Sequence, residues 1–442
     1  MGQSFFIITL GCKVNQYESD LMATRMSQAG LVAASGADTA DIILINTCTV
    51  TGRAAQQSRQ AVSGAIRNHP KARVFAAGCH AQAAPQELAG IEGLCAVVGN
   101  ASKEKIAEII DCALQRGSLG PLVECAPLDS LCLPGESPLV TGARARPFVR
   151  IQDGCNARCT YCAVPGVRGP SRSAPPLSVL AQLEALYEAG YEEAVLCGIH
   201  LGRYGLDLEP QSNLLSLLEM AIEREIPRIR LSSIEHDEVT DRLIELAASS
   251  PKICPHFHLP LQSGSDLVLR RMGRPYKAAD FAIVVEKISK AMPNAAIGAD
   301  IMVGFPGEAD EDFLQTFSLV QSLPLSYLHV FPYSPRKNTP AARFDRKVPA
   351  AVAKQRAAQM RQMGLEKKTA FYKSQEGRLL AACVEGPDDF RRGYYKGTTE
   401  NYIPIRFADL TLPKNSSLWQ GVLRLVPKED GLQTLLEKSV DE

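Results

Sequence analysis

One stretch of the sequence reads Phe148-Val-Arg-Ile-Gln-Asp-Gly-Cys-Asn-Ala-Arg-Cys-Thr-Tyr-Cys162 and combines two patterns. Its first five residues have the apolar character of a strand. The residues that follow place Cys155, Cys159 and Cys162 on a loop that opens with Gly154. In β/α barrels the active site lies on loops at the carboxyl ends of the strands. The stretch therefore predicts the first strand of a barrel with a reactive loop at its end.

Five further strand-like runs follow this stretch, with helical patterns such as 177–189 between them. Together with 148–152 they make six β/α units, too few for a closed eight-stranded barrel. We therefore expect an open, partial (β/α)6 barrel. The five runs are 194–197, 229–232, 257–261, 297–303 and 327–331.

The first third of the chain alternates strand-like and helical patterns, which predicts a doubly wound parallel sheet. Cys12, Cys48 and Cys79 each come just after one of its strands. An open α/β sheet binds ligands at the carboxyl edge of its strands, so the three thiols are expected to converge. The strand-like runs are 5–10, 42–45, 74–77 and 96–98, and the helical ones are 15–29 and 53–68.

The remaining segments complete a prediction of an α/β protein with a small C-terminal β-barrel. Gly, Pro and Ser without a sustained period between residues 114 and 146 indicate a linker. A helical pattern, 350–372, precedes short strand-like runs at 379–384, 402–407 and 423–426 that suit a small barrel. The predicted division is an N-terminal domain at 1–115, a linker at 116–140, a barrel domain at 141–370 and a β-barrel at 371–435.

The composition sets the broad class of the protein. The chain has 442 residues, 48 basic and 48 acidic side chains, and 13 cysteines. We find no apolar run long enough to span a bilayer and no signal-peptide pattern at the start, so a cytoplasmic protein without a membrane partner is expected. Cytosolic cysteines are kept reduced, which favours metal or catalytic roles over disulfides.

The spacing of Cys155, Cys159 and Cys162 suits a cubic iron–sulfur cluster, since three thiolates leave the fourth iron open to another ligand. Zinc is the main alternative, but a structural zinc site usually has four protein ligands. No histidine lies between Arg146 and Gly190 to complete such a set. Cysteines that serve only packing are a further alternative.

The same three cysteines, with Tyr161 before the last of them, resemble the signature of the radical S-adenosylmethionine (SAM) enzymes. The resemblance implies that the open iron of a 4Fe-4S cluster chelates SAM. It also implies that one electron from the cluster cleaves SAM to methionine and a 5′-deoxyadenosyl radical, with Tyr161 beside the adenine. Polar or small residues at other strand ends would then bind SAM, although capping or turn roles are the alternative. These residues are Gly198, Ser233, Glu235 and Gln262.

Three N-terminal segments resemble the first domain of the methylthiotransferases, a branch of the radical SAM enzymes. They are Gly11-Cys-Lys-Val-Asn-Gln-Tyr-Glu18, Asn46-Thr-Cys-Thr-Val50 and Gly78-Cys-His-Ala-Gln82. The resemblance implies that Cys12, Cys48 and Cys79 bind a second, auxiliary 4Fe-4S cluster that carries or supplies the inserted sulfur. Each of these cysteines taken alone is more often a buried thiol.

The C-terminal segment resembles a TRAM domain, the RNA-contacting module of the same family. Residues 11–18 and the run Asn401-Tyr-Ile-Pro-Ile405 resemble the branch that acts on N6-threonylcarbamoyladenosine, with His80 as a small departure. This implies C2-methylthiolation at position 37 of tRNA, in the anticodon loop. It also implies an electron donor such as flavodoxin or ferredoxin, and a sulfur source.

Three other functions remain open at this point. Two are enzymatic: methylthiolation of N6-isopentenyladenosine in tRNA, or of an aspartate in a ribosomal protein. The third is an RNA-binding protein with structural clusters. A basic run after the barrel would suit a phosphate backbone, with a solvated helix face as the alternative. The run comprises Arg336, Lys337, Arg343, Arg346, Lys347, Lys354, Arg356, Arg361, Lys367 and Lys368, and Arg391, Arg392, Tyr394, Tyr395 and Lys396 follow in the C-terminal module.

Overall fold

The computed structural model describes residues 2–117, 120–128, 144–388, 392–408, 417–428 and 431–437. The chain divides into two compact units. The first unit comprises Met1–Gly142, Gln152–Ala174 and Ser334–Ala342. The second unit comprises Ala143–Ile151, Pro175–Tyr333 and Arg343–Glu442. The loop with Cys155, Cys159 and Cys162 thus belongs to the same unit as the N-terminal cysteines.

The first unit is built on a six-stranded parallel sheet with the strand order β2-β1-β3-β4-β5-β6. This confirms the predicted N-terminal fold. The short strand β6 lies inside the segment predicted as a linker, because three residues are too few to show a period. The elements are β1 (Ser4–Thr9), α1 (Lys13–Gln28), β2 (Val32–Ala33), β3 (Ile42–Thr47), α2 (Gly52–Asn68), β4 (Arg73–Gly78), α3 (Cys79–Ala83), α4 (Pro85–Ala89), β5 (Leu94–Val98), α5 (Ile106–Gln115) and β6 (Leu122–Glu124).

Helices cover both faces of this sheet, so its central strands are apolar on both sides. Ile42 and Leu44 of β3 pack into a core formed with α1 and α5. Ile43 and Ile45 pack into a second core, formed with α2 and α4. The parallel strands are thereby fixed, and their carboxyl ends lie along one edge.

The chain next forms β7 (Phe148–Arg150) of the second unit and then returns to the first unit. There, β8 (Gln152–Asp153) pairs antiparallel with β9 (Arg172–Ser173). The cysteine loop and the short helix α6 (Pro165–Arg168) lie between these two strands. The loop is therefore anchored at both ends.

The second unit contains six parallel strands in two three-stranded sheets, β11-β10-β7 and β12-β13-β14. A parallel bridge between Ser233 and His258 joins the two sheets into one arc. This confirms the predicted partial barrel. The elements are α7 (Pro176–Glu188), β10 (Glu193–Cys197), α8 (Leu214–Ala221), β11 (Arg228–Leu231), α9 (Asp241–Ser249), β12 (His256–Gln262), α10 (Asp266–Met272), α11 (Ala278–Ala291), β13 (Ala296–Val303), α12 (Asp310–Ser322) and β14 (Tyr327–Pro332).

The second unit ends in a long helix and a closed five-stranded barrel, as predicted. The sequence missed β16 and β19, because these strands carry polar and glycine residues instead of an apolar run. No helix in the described ranges is long and apolar enough to cross a membrane. The elements are α13 (Ala350–Gln375), β15 (Leu379–Pro387), β16 (Tyr395–Thr399), β17 (Pro404–Phe407), β18 (Leu418–Lys428) and β19 (Gly431–Glu437).

A buried charge cluster joins the partial barrel to the small barrel within the second unit. Glu193, at the start of β10, accepts hydrogen bonds from Arg228 at 2.6 Å and from Arg230 at 2.7 Å. Arg228 also donates to the carbonyl of Ala381, and Arg230 to that of Thr399. Burial alone would raise the pKa of Glu193, but Arg230 and Arg228 outweigh it and lower the pKa to about 2. Glu193 is therefore ionised and central to this junction.

Candidate active site

Cys12, Cys48 and Cys79, which we call the N-terminal triplet, follow three adjacent strands of the first unit. Cys12 caps α1 after β1, Cys48 directly follows β3, and Cys79 directly follows β4. The parallel sheet places these strand ends side by side. Burial raises the pKa of the Cys48 thiol to about 11, and the nearby Cys79 and Cys12 thiols add to the shift. The three thiols are thus electrostatic neighbours, as the sequence predicted.

The surroundings of the N-terminal triplet fit a sulfur-ligated group. Asn100 donates from Nδ2 to the Sγ of Cys79 at 3.5 Å, a contact that favours a thiolate. Gly11 has φ of +99°, and a Cβ there would lie 2.7 Å from the Sγ of Cys48. Only glycine suits this backbone and this close approach. Glycine at position 11 therefore keeps the space beside the Cys48 thiol open.

Cys155, Cys159 and Cys162, which we call the loop triplet, lie half-buried on the loop before α6. The loop closes on itself, because the N–H of Cys155 donates to the carbonyl of Gly169 at 3.1 Å. The N–H of Ala157 donates to the Sγ of Cys155, and the N–H of Val164 to that of Cys162, each at 3.4 Å. Backbone donors to sulfur stabilise thiolate ligands and tune the potential of iron–sulfur clusters. The loop therefore fits a cluster with three thiolate ligands.

A buried arginine connects the two triplets within the first unit. Arg168, which is 1% exposed, donates to Glu18 at 2.9 Å, to Asp153 at 3.0 Å and to Asn15 at 2.7 Å. Asn15 and Glu18 lie on α1, just after Cys12, and Arg168 lies on α6, just after the loop triplet. Burial disfavours its charge, but Cys79, Glu18 and Asp153 together raise the pKa of Arg168 well above its usual value. A fixed positive charge thus lies near the N-terminal thiols, and its hydrogen bonds tie α6 to α1 and to β8.

A cavity of about 440 Å³ in the first unit is lined by one cysteine of the loop triplet and by a sequence neighbour of the N-terminal triplet. Cys162 of the loop triplet lines it on one side, and His80, the neighbour of Cys79, lines it on another. Arg336 lines it as well and donates to Thr49, the neighbour of Cys48. The cavity thus contacts the loop triplet directly and the N-terminal triplet only through neighbouring residues. Its other lining residues include Gly52, Arg59, Gln82, Glu87, Gly166, Val167, Lys337, Asn338 and Thr339.

His80 is the one departure from the expected family pattern, and it faces this cavity. It is 2% exposed, and among the described residues neither ring nitrogen has a hydrogen-bond partner. Glu87 lies 3.7 Å from its Nε2. Burial lowers the pKa of His80, although Glu87 acts in the opposite direction.

The predicted SAM-binding residues of the second unit lie along one edge of its strands. Gly198 follows β10, Ser233 and Glu235 follow β11, and Gln262 ends β12. Glu235 accepts a hydrogen bond from Arg274 at 2.6 Å, and burial raises the pKa of its carboxyl. Its second oxygen has no hydrogen-bond partner among the described residues. Tyr161, the fifth predicted residue, lies on the loop in the first unit. Their SAM-binding roles stay predictions.

Two histidines of the second unit share one carboxylate. His258 Nε2 lies 3.1 Å, and His329 Nδ1 3.3 Å, from the same oxygen of Asp300. The other ring nitrogen of His258 lies 2.6 Å from the hydroxyl of Ser233. Burial raises the pKa of Asp300, but the two imidazoles lower it far more. From the sequence, a structural role is more expected than metal ligation for these histidines. The three side chains lie close enough together to hold a metal ion, so that role stays a prediction.

The basic run after the barrel is only partly available to a ligand. Arg356, 5% exposed, binds Glu308 at 2.7 Å and Asp310 at 2.6 Å, so its prediction as a phosphate contact is wrong. Lys367 likewise donates to the carbonyl of Leu323 at 2.7 Å. Arg391 lies outside the described residues. The exposed members of the run are Lys337, Arg343, Arg346, Lys347, Lys354, Arg361 and Lys368.

The sequence missed the polar residues that connect the cysteines. Arg168 and Asn100 carry no motif, because their partners are far away in the chain. In the sequence Arg336 is one charge of a basic run, and nothing there links it to Thr49. A signal exists only for Asn15, which lies in the quoted segment 11–18 and there forms part of the family resemblance.

Two family models match the chain. Residues 4–99 match the Uncharacterized protein family UPF0004, and residues 149–320 match the Radical SAM superfamily. A solved structure of the radical SAM methyltransferase TsrM from Kitasatospora setae has a TM-score of 0.57 at 14% identity, covering 77% of each chain. At that identity the likeness concerns the fold alone. The fold and the loop triplet define a radical SAM protein with an additional N-terminal domain.

Curated relatives specify the family further. "Threonylcarbamoyladenosine tRNA methylthiotransferase MtaB" of Bacillus subtilis is 37% identical, over 90% of this chain and 89% of its own. The Aquifex aeolicus protein of the same description is 38% identical, over 90% and 95%. A "tRNA-2-methylthio-N(6)-dimethylallyladenosine synthase" of Thermus thermophilus is 33% identical, over 90% and 85%. The chain belongs to the radical SAM tRNA methylthiotransferase family. Membership of this family confirms the predicted class of enzyme. It also confirms a tRNA substrate and the use of SAM and iron–sulfur chemistry.

Proposed function

We propose that the chain adds a methylthio group to C2 of N6-threonylcarbamoyladenosine at position 37 of tRNA, next to the anticodon. The observation that carries this proposal is the cavity that Cys162 of the loop triplet lines together with His80, the sequence neighbour of Cys79. Breaking an unactivated C–H bond and supplying sulfur are two separate chemical tasks, and each needs its own cofactor. The substrate assignment is supported by several relatives described as threonylcarbamoyladenosine tRNA methylthiotransferases.

In this proposal the loop triplet holds a 4Fe-4S cluster whose open iron chelates SAM. When bound, that cluster supplies the electron that cleaves SAM and generates the 5′-deoxyadenosyl radical. The N–H donors of Ala157 and Val164 stabilise the negative charge on the ligand sulfurs. Tyr161 lies beside the adenine of SAM. Gly198, Ser233, Glu235 and Gln262 bind the rest of the molecule.

The N-terminal triplet holds a second 4Fe-4S cluster, which supplies the sulfur. Asn100 contributes a donor to the Sγ of Cys79, and Arg168 contributes a fixed positive charge. Gly11 leaves the room that a side chain would take from Cys48. These residues orient the thiols before any ligand arrives, so binding requires little rearrangement.

The C-terminal barrel is proposed as a TRAM domain that contacts the anticodon region of tRNA. Arg392 is exposed, while Tyr395 stacks on Phe407 at 6.0 Å and so also serves the core of the barrel. The domain boundaries 1–115, 116–140, 141–370 and 371–435 are part of the proposal. So are a flavodoxin- or ferredoxin-like electron donor, a separate sulfur source and a cytoplasmic location.

Two triple variants test the cofactor assignment. One replaces every cysteine of the loop triplet by alanine, and the other does so for the N-terminal triplet. Cys112→Ala is the matched control, because Cys112 is an exposed cysteine of the same unit. After anaerobic reconstitution, each triple variant is expected to retain about four iron atoms per chain, roughly half the content of the control. Only the N-terminal variant should still cleave SAM.

Other outcomes would contradict specific parts of the assignment. SAM cleavage by the loop variant would overturn the role of the loop triplet. A loop variant without iron or sulfide would overturn the second cluster. Zinc in place of iron in either variant would support the structural alternative for the remaining triplet. If the control acts only on N6-isopentenyladenosine, the chain has the activity that the name of the Thermus thermophilus relative describes.

A further inference from the structure

Arg336 stands out in the cavity because it forms no ion pair with a carboxylate among the described residues. Its guanidinium donates to the hydroxyl of Thr49, next to Cys48. Its Nε is shielded from solvent and has no hydrogen-bond partner among the described residues. A shielded donor without a partner costs free energy unless a ligand satisfies it. The arginine is therefore suited to bind an acceptor inside the cavity.

The other charges of the cavity do not neutralise Arg336. Glu87, an acid that also lines the cavity, already pairs with Arg59 at 3.1 Å and lies 3.7 Å from His80. Lys337, which also lines the cavity, adds another positive charge. The cavity thus carries an excess of positive charge at its Arg336 end, and an anionic group would complement it.

The proposed reaction determines which part of the substrate reaches this end. Adenine C2 must lie near both triplets for hydrogen abstraction and sulfur insertion. Only N1 separates C2 from C6, the carbon that carries the N6 substituent. The substituent must therefore extend into the same cavity or along its rim. In N6-threonylcarbamoyladenosine this substituent ends in a carboxylate, whereas the isopentenyl group is apolar throughout.

We propose that Arg336 binds the carboxylate of the threonylcarbamoyl group and thereby selects this nucleoside over N6-isopentenyladenosine. The inference rests on the proposed function and assigns a specificity residue to it. A guanidinium matches a carboxylate with two parallel hydrogen bonds, which lysine does not reproduce. The isopentenyl substrate offers no acceptor, so the Nε of Arg336 stays without a hydrogen-bond partner in a shielded site. A site built for a polar group rejects an analogue that lacks it.

The test changes the enzyme and the substrate together. Anticodon stem-loops carry N6-threonylcarbamoyladenosine, its methyl ester or N6-isopentenyladenosine. Reconstituted wild type, Arg336→Ala and Arg336→Lys are compared by kcat/KM and by the Kd of each stem-loop from fluorescence anisotropy. Arg53→Ala is the control, because Arg53 is exposed on α2 and does not line the cavity.

For the wild type and Arg53→Ala, esterification should lower kcat/KM by about 10- to 100-fold, the range of a hydrogen bond to a charged group. Arg336→Ala should lower kcat/KM for the free acid by the same factor but leave the ester nearly unchanged. Arg336→Lys should recover part of the loss. The Kd values should follow the same pattern.

Two results would overturn the inference in different ways. If Arg336→Ala lowers kcat/KM equally for acid and ester, the residue has only a structural role. In that case circular dichroism and the iron content of Arg336→Lys are compared with those of the wild type, and a difference in either identifies a folding defect. If the wild type leaves the free acid unmodified while it cleaves SAM, the proposed function itself is wrong and the inference fails with it.

Discussion

Replacing Arg168 by methionine tests whether the buried network really ties the cysteine loop to helix α1. Methionine keeps much of the side-chain volume but removes the charge and all the hydrogen bonds. Glu18 then keeps Lys103 as a partner at 2.5 Å. Asp153 keeps Arg172 at 2.6 Å. Glu18 and Asp153 therefore each lose the hydrogen bond from Arg168 but keep one from another basic side chain.

Removing one member of a buried ion pair typically costs about 3–5 kcal/mol. The remaining partners place the expected loss at the lower end, about 3 kcal/mol, in the free energy of unfolding of the first unit. That loss corresponds to roughly a 100-fold change in the opening equilibrium. Hydrogen exchange is the suitable assay, because the chain has two units and global unfolding need not be two-state.

Amide exchange would be followed by mass spectrometry on the reduced, cluster-free protein. Peptides that cover α1 and α6 should exchange about 100-fold faster in Arg168→Met, provided that they open through this network. Arg25→Met is the control on the same helix, since its pair with Glu104 is 4.0 Å long and partly exposed. We expect that change to cost under about 1 kcal/mol. Equal protection in Arg168→Met and the control would refute the reasoning.

Two further predictions concern other parts of the molecule. Glu193→Gln should destabilise the second unit by about 3 kcal/mol, because Arg230 loses its buried partner. In the wild type the pKa of Glu193 is lowered to about 2. Its contribution is therefore complete above its ordinary pKa of 4.5 and is lost as the pH falls toward 2, which urea titrations followed by tryptophan fluorescence should show. Gly11→Ala should lower iron incorporation by the N-terminal triplet, since the methyl group would lie 2.7 Å from the Cys48 sulfur. Gly30→Ala, at an equally positive φ with no atom nearby, should retain the iron.

Local patterns were enough to predict the architecture of both units. The apolar run at 42–45 is a strand buried on both faces, and such a run is recognisable without any partner. Cys155, Cys159 and Cys162 lie close in sequence, so their spacing alone indicates shared ligation. The cysteines of the N-terminal triplet are far apart in sequence. Their proximity follows only from the rule that adjacent parallel strands end at the same edge of a sheet.

The polar connections could not be predicted in this way. Arg168 and Glu18 are 150 residues apart, and neither differs in sequence from an ordinary surface charge. Arg356 lies in a basic helical stretch of sequence, which predicts an exposed side chain. In the structure it is buried against Glu308. Strand β16 reads Tyr-Lys-Gly-Thr-Thr, and its polar Thr398 and Thr399 are buried all the same. In each case the decisive partner is fixed by tertiary packing, which the local pattern does not record.

The most direct test of the central claim is the identity of the nucleoside product. Reconstituted protein, a reductant, a sulfide source and SAM with a deuterated methyl group would be incubated anaerobically with a stem-loop that carries N6-threonylcarbamoyladenosine. Mass spectrometry of the digested RNA should show 2-methylthio-N6-threonylcarbamoyladenosine with the deuterated methyl on sulfur. Unchanged nucleoside despite cleavage of SAM, or a label elsewhere on the RNA, would contradict the account.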